Sequence, residues 1–225
     1  TGCNAVEKFG LPGATSTDPA TTANHQPTSP EAVTAPTGAA LAAALKLPTQ
    51  GRAPKTGYAR AQFGKAWTDD NTALWGRNGC DTRNDILKRD LTNIAWKNKV
   101  HCAVKSGVLA DKYSGTTIQF VRGASTSSAV QIDHIIPLSN AWQTGAQAWP
   151  STKRVQFAND PLNLNASKGS LNGQKSDADA ATWLPPNKAY RACYAAQMVS
   201  VRTKYGLWTT PADQATLVRL LTPHP

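Results

Sequence analysis

The apolar positions of this chain fall into short runs of two different periods, set between stretches with no period at all. Asp81-Thr82-Arg83-Asn84-Asp85 offers capping side chains ahead of Ile86, Leu87 and Leu91, which stand near helical spacing with Arg83, Lys88 and Arg89 on the polar face, so a helix is expected over 81–91. Residues 116–121 and 130–136 are β-prone with rough alternation, and the Gly/Ser-rich connection at 122–128 suggests that these two strands pair antiparallel. Residues 139–157 scatter Trp142, Trp149, Val155 and Phe157 among polar positions, consistent with two short helices interrupted at Pro150 and with an insertion. A helix over 170–183 follows a turn at Gly169 and stops at Leu184-Pro185-Pro186, because proline cannot continue it. Two further helices are expected over 190–205 and 212–221. Tyr58, Phe63 and Trp67 suggest one face of a short helix or loop packed on the core. The expected class is α+β, mostly helical.

Residues 10–36 break this patterning: Thr, Ala, Pro and Ser dominate, and such a composition buries too little surface to offset the entropy of ordering. A flexible segment over 1–50 and one folded domain over 51–225 are therefore expected. The charge follows the same division. The formal +10 of the whole chain is −1 over 1–50, +6 over 51–114 and +5 over 115–225. A basic folded body suits a polyanionic partner, although charge alone also describes a merely cationic protein. No run of about twenty apolar residues occurs, and the Ala-rich piece 39–45 is too short to span a membrane.

Four cysteines stand at 3, 80, 102 and 193, with no Cys-x-x-Cys pair, which disfavours a structural zinc site. Cys80 and Cys102 flank the first helix, and a bridge between them would place the protein in an oxidising compartment. Thr1-Gly2-Cys3 resembles the end of a bacterial lipoprotein signal, which leaves a lipid anchor at Cys3, a Cys3–Cys193 bridge and a free thiol all open. A secreted monomer, with or without that anchor, is expected.

The chemistry concentrates in Asp133-His134-Ile135-Ile136-Pro137, Asn163 and Asn172-Gly173-Gln174-Lys175. Hydrolysing a phosphodiester needs a deprotonated water, neutralised phosphate charge and a stabilised leaving alkoxide. His134 can take the water's proton as general base. A hard cation, Mg²⁺ or Mn²⁺, prefers oxygen ligands and keeps several waters, so Asp133 and Asn172 would suffice as its protein ligands. Lys175 lies one helical turn beyond Asn172, where it would contact phosphate or help position the metal site. Arg122, just before the Asp-His strand, is a further candidate to fork onto phosphate, with Arg83 a weaker one. Each residue alone has a bland reading as a surface polar group, a turn Asn or a solvated Lys, and the joint occurrence in this order carries the specificity. Trp142, Trp149 and Trp183 suit base stacking but are more ordinarily core.

These residues resemble the HNH, or His-Me finger, nucleases, whose ββα-metal element also forms the cutting domain of the RNA-guided CRISPR nuclease. Residues 55–221, with Thr82-Arg83-Asn84-Asp85-Ile86-Leu87, Phe120-Val121-Arg122-Gly123, Asn140-Ala141-Trp142-Gln143-Thr144-Gly145 and Asp160-Pro161-Leu162-Asn163-Leu164, resemble an actinobacterial secreted subgroup related to the C-terminal domain of GmrSD-type restriction enzymes. The resemblance implies a ββα-metal core and a bend at the strand end that sends Asp133 to the metal and His134 to the water, although neighbours in a strand ordinarily face opposite ways. It implies that Asn163 orients the His134 loop through backbone hydrogen bonds. Asn172 stands where many members carry a second metal-binding His. The function expected is metal-dependent cleavage of DNA, with RNA left open as a further substrate, and with little sequence preference. A catalytically idle nucleic-acid or cell-wall binding protein on the same scaffold is the alternative, and a toxin domain with an immunity partner is disfavoured by the lack of a long delivery module.

Overall fold

The structure is a computed structural model that describes residues 38–223, so the expectations resting on Cys3 and on the Thr/Pro-rich segment fall outside the described residues. In chain order the elements are α1 (Gly38–Lys46), α2 (Thr82–Asp90), β1 (Leu91–Trp96), β2 (Val104–Ala110), β3 (Thr117–Val121), β4 (Val130–His134), α3 (Leu138–Gln143), α4 (Ser151–Asn159), β5 (Leu164–Lys168), α5 (Gly169–Lys175), α6 (Arg191–Tyr205) and α7 (Pro211–Leu221). The class is α+β, as expected. Packing begins ahead of residue 51: α1 lies on α6 and α7, with Ala44 and Leu47 buried in the main core. Five alanines in nine residues favour a helix strongly but give little hydrophobic signal, which is why this element does not stand out from the linker.

Helix α2 starts where its caps place it, with the Asp81 carboxylate accepting from the Asn84 amide. The expected strand pairing is corrected. β3 pairs with β2 in a three-stranded antiparallel sheet of order β1-β2-β3, while β4 pairs with β5. Period 2 then sorts the β4–β5 hairpin into two faces. Val130, Ile132, Leu164 and Ala166 enter a small core with Ile86, Leu87 and Phe120, whereas Gln131, Asp133 and Asn165 point to the other side, where Asn165 donates to Gln197 of α6. The ββα unit is therefore β4, β5 and α5, and residues 135–163, with α3 and α4, are inserted between its two strands.

Helix α5 is shorter than the pattern over 170–183 predicts, because Ser176 turns to φ 49° and Asp179 leaves to meet Arg52 at 2.7 Å. The start of α5 lies so close to the preceding turn that a Cβ on Gly169 would fall 2.0 Å from the Ser128 carbonyl oxygen. The aromatic residues Trp142, Trp149 and Trp183 belong to or pack on the main core, the bland reading of the two.

Cys80 and Cys102 form the expected disulfide, Cα to Cα 5.2 Å, tying the turn before α2 to the β1–β2 hairpin. Cys193, buried on α6, is not a free thiol. Replacing Cys80 and Cys102 together by Ala is expected to lower stability by about 3 kcal/mol in urea unfolding, from the loop entropy returned to the unfolded chain. An unchanged midpoint in non-reducing buffer would show that the hairpin is held without it.

Candidate active site

β4 ends at His134, and the bend at Ile135-Ile136 that follows is fixed from across the insertion. The Asn163 carbonyl accepts from the Ile135 amide at 2.8 Å, and its side-chain Oδ1 accepts from the Ile136 amide at 2.9 Å. Asn163 is fully buried, so these bonds form away from water and hold the chain just past His134 in one path. This is the backbone-clamping geometry expected of it.

Asp133 and His134 face opposite ways, as strand neighbours must. Asp133 turns toward α5 and is 4% exposed; Lys175 Nζ donates to its Oδ1 at 2.9 Å and Tyr113 Oη donates to Oδ2. Lys175 is 0% exposed and donates as well to the His134 carbonyl at 2.7 Å. Burial pushes the Asp133 carboxyl up and the Lys175 ammonium down, and each opposes the shift through the other's charge. Lys175 is thus tied to the Asp133 carboxylate and to the end of β4 and does not reach solvent.

His134 faces the other side, stacked on Trp67 with centroids 5.5 Å apart and planes 13° from parallel. Its Nε2 lies 2.9 Å from the Ala158 carbonyl oxygen, which can only accept, so Nε2 carries the hydrogen and the lone pair of the neutral ring sits on Nδ1. Burial, with Arg60 and Lys175 adding repulsion, lowers the imidazole to about 3. The ring is thus neutral throughout the physiological range. Between about pH 6.5 and 3 the unfolded chain binds this proton and the folded one does not, so stability falls on acidification by at most about 1.4 kcal/mol per pH unit from this group. In EDTA, the His134 ring carbons observed by NMR are expected to show no titration between pH 8 and 5; an inflection near 6.5 would contradict the buried, carbonyl-bound ring.

The two sides meet in a polar hollow of about 520 Å³, lined by Asp133 and His134, by Asn172 and Asp177, and by the cationic Lys55 and Arg60. Asn172 donates its amide hydrogen to Gln131 Oε1 at 2.8 Å, which fixes the amide and leaves its Oδ1 as an acceptor. Among the described residues no cluster of three or more His, Cys, Asp or Glu side chains forms a closed metal cage. The Asp133 carboxylate and the Asn172 amide both line this hollow, an oxygen donor set of the kind a hard cation takes rather than zinc, and both Asp133 oxygens also accept from Lys175 and Tyr113.

Five of the six expected site residues, His134, Asn163, Lys175, Asp133 and Asn172, gather here. Arg122 does not: its guanidinium bonds the Val104 carbonyl and Asn84 Oδ1, tying β2 to α2. Arg83 likewise donates to the Val130 carbonyl at 3.1 Å. Tyr113 and the Ala158 carbonyl have no local signature in the sequence, since each reaches the site from a distant segment, and Trp67, expected only as an aromatic packed on the core, stacks on His134 instead.

Residues 81–220 match the family described as the C-terminal domain of GmrSD restriction endonucleases. An uncharacterized secreted protein of Arthroderma benhamiae is 34% identical over 197 residues, which is 87% of this chain and 88% of that protein. No solved structure matches.

Proposed function

This chain belongs to the family of GmrSD restriction-endonuclease C-terminal domains, and on that premise we propose that it is a secreted, metal-dependent endonuclease hydrolysing phosphodiester bonds of DNA, with RNA as a second substrate. The observation that carries the reading is a neutral His134, its Nε2 hydrogen committed to a carbonyl, sharing one hollow with the oxygen donors Asp133 and Asn172. The fungal relative's description as a secreted protein and the Cys80–Cys102 disulfide support an extracellular site of action. Among the described residues no helix is long and apolar enough to cross a membrane.

In the reaction, His134 Nδ1 takes a proton from water as the water oxygen bonds to phosphorus. The bond from phosphorus to the leaving oxygen breaks, and that oxygen takes a proton from solvent. A Mg²⁺ or Mn²⁺ held by Asp133 and Asn172 supplies charge neutralisation at the phosphate and the leaving oxygen. Lys175 and Tyr113 keep Asp133 in place, and Asn163 keeps the bend after His134 from moving the imidazole. The basic surface gives the polyanion a salt-sensitive approach without base-specific contacts.

The test is digestion of supercoiled plasmid by the purified protein with Mg²⁺, Mn²⁺ or EDTA. Nicking and smearing that need the metal support the nuclease. Intact plasmid under every metal, with retarded migration that weakens as salt rises, would leave a binding protein on this scaffold instead.

A further inference from the structure

The hollow has cations from two sources, and they are not equivalent. Lys175 is buried on Asp133, and Lys55 is paired with Asp177, which also accepts from Ser139 at 3.1 Å. Arg60 differs. It lines the polar hollow on one side of His134 and also a second hollow of about 220 Å³ on the other, where Trp67 and Ala158 lie. Its side chain is exposed and makes no hydrogen bond or ion pair among the described residues. A guanidinium left without a partner beside a general base, while its neighbours are neutralised, is available to an anion arriving from solution.

The segment that carries it is held firmly. The Ala53 amide donates to the Gln143 carbonyl at 2.9 Å, Trp142 Nε1 to the Thr56 carbonyl at 3.2 Å and Arg154 Nε to the Gln62 carbonyl at 2.9 Å. Phe63, three residues on, is 2% exposed and plugs the main core. Arg60 therefore opens a 3₁₀ turn, Arg60–Phe63, anchored on both sides to the insertion helices α3 and α4, so its position costs little to organise. The segment also precedes residue 81, where the match to the family begins.

We infer that Arg60 is a substrate-binding residue of this enzyme, its guanidinium forking onto the nonbridging oxygens of the phosphate attacked by the water at His134. The site is then completed by a strap outside the family segment. This rests on the nuclease reading above, and the charge it stabilises is the one that grows on those oxygens as the new bond forms.

The test compares full-length wild type, Arg60→Met, Arg60→Lys and Lys65→Met on supercoiled plasmid with Mg²⁺, with thermal melting in parallel. Arg60→Met is expected to lose about a hundredfold in kcat with an unchanged melting temperature, and Arg60→Lys to recover part of the rate, since an ammonium supplies charge without the fork. Lys65→Met, which removes a cation from the Trp67 side alone, is expected to change KM only slightly. If wild type cleaves and Arg60→Met keeps its kcat, whether or not KM rises, the inference is overturned and the nuclease reading stands. If wild type cleaves with no metal tried, the nuclease reading itself falls and takes this inference with it.

Discussion

Replacing His134 by Ala is expected to slow plasmid cleavage by about 10²–10⁴-fold, the contribution of a positioned general base. The magnitude follows from how completely the ring is prepared: the Ala158 carbonyl selects the tautomer, Trp67 sets the plane, and burial keeps the nitrogen unprotonated. Retarded migration of plasmid in EDTA should survive the change, because Lys55 and Arg60 on the rim are untouched. Cleavage by His134→Ala within about threefold of wild type would remove His134 from the role of base. The metal-binding residues would then have to generate the nucleophile without it.

The second large effect is on stability rather than rate. Lys175→Met leaves the Asp133 carboxylate buried with no cation beside it, and breaking a buried pair from one side costs about 3–5 kcal/mol. The carboxylate's remedy is to take up a proton, so the loss should be smaller at low pH than at neutral pH. Adding Asp133→Asn should return part of the stability, because the double variant contains no uncompensated charge and the amide oxygen can still accept from Tyr113. Urea unfolding of the two single variants and the double variant gives the coupling directly. Additive losses would mean that the ion pair has no part in holding the strand end.

Much of the site could be read from the chain because its residues are close together in sequence and sit on elements with strong local signals. Asp81 and Asn84 announce α2, and the alternation of Val130 and Ile132 with Gln131 and Asp133 announces a strand with two unlike faces. What failed was pairing. β5 reads Leu164-Asn165-Ala166-Ser167-Lys168, with two small residues and a buried Asn165 whose amide donates to Tyr190 and to Gln197 of α6, so nothing in its own sequence marks it as the second strand of the site. Residues 104–110 hide β2 in the same way behind Ser106 and Gly107. With β1, β2 and β5 unmarked in the sequence, β3 and β4 are the only strands left to join. Arg122 and Arg60 show the same limit for function: both are arginines near a strand or turn, and only the folded chain reveals that one is spent on Val104 and Asn84 while the other faces the hollow.

The insertion between β4 and β5 has a consequence for the order of assembly. A tight hairpin can zip from its turn, but His134 and Leu164 are register partners whose connection spans residues 135–163, so the loop must close before the first ladder bond forms. α3 and α4 must therefore collapse against the main core early, bringing Asn163 to the bend, and the strand pair follows. On the proposed function, the nascent chain would carry His134 and Asp133 from early on, yet the site they belong to would exist only once the insertion had docked.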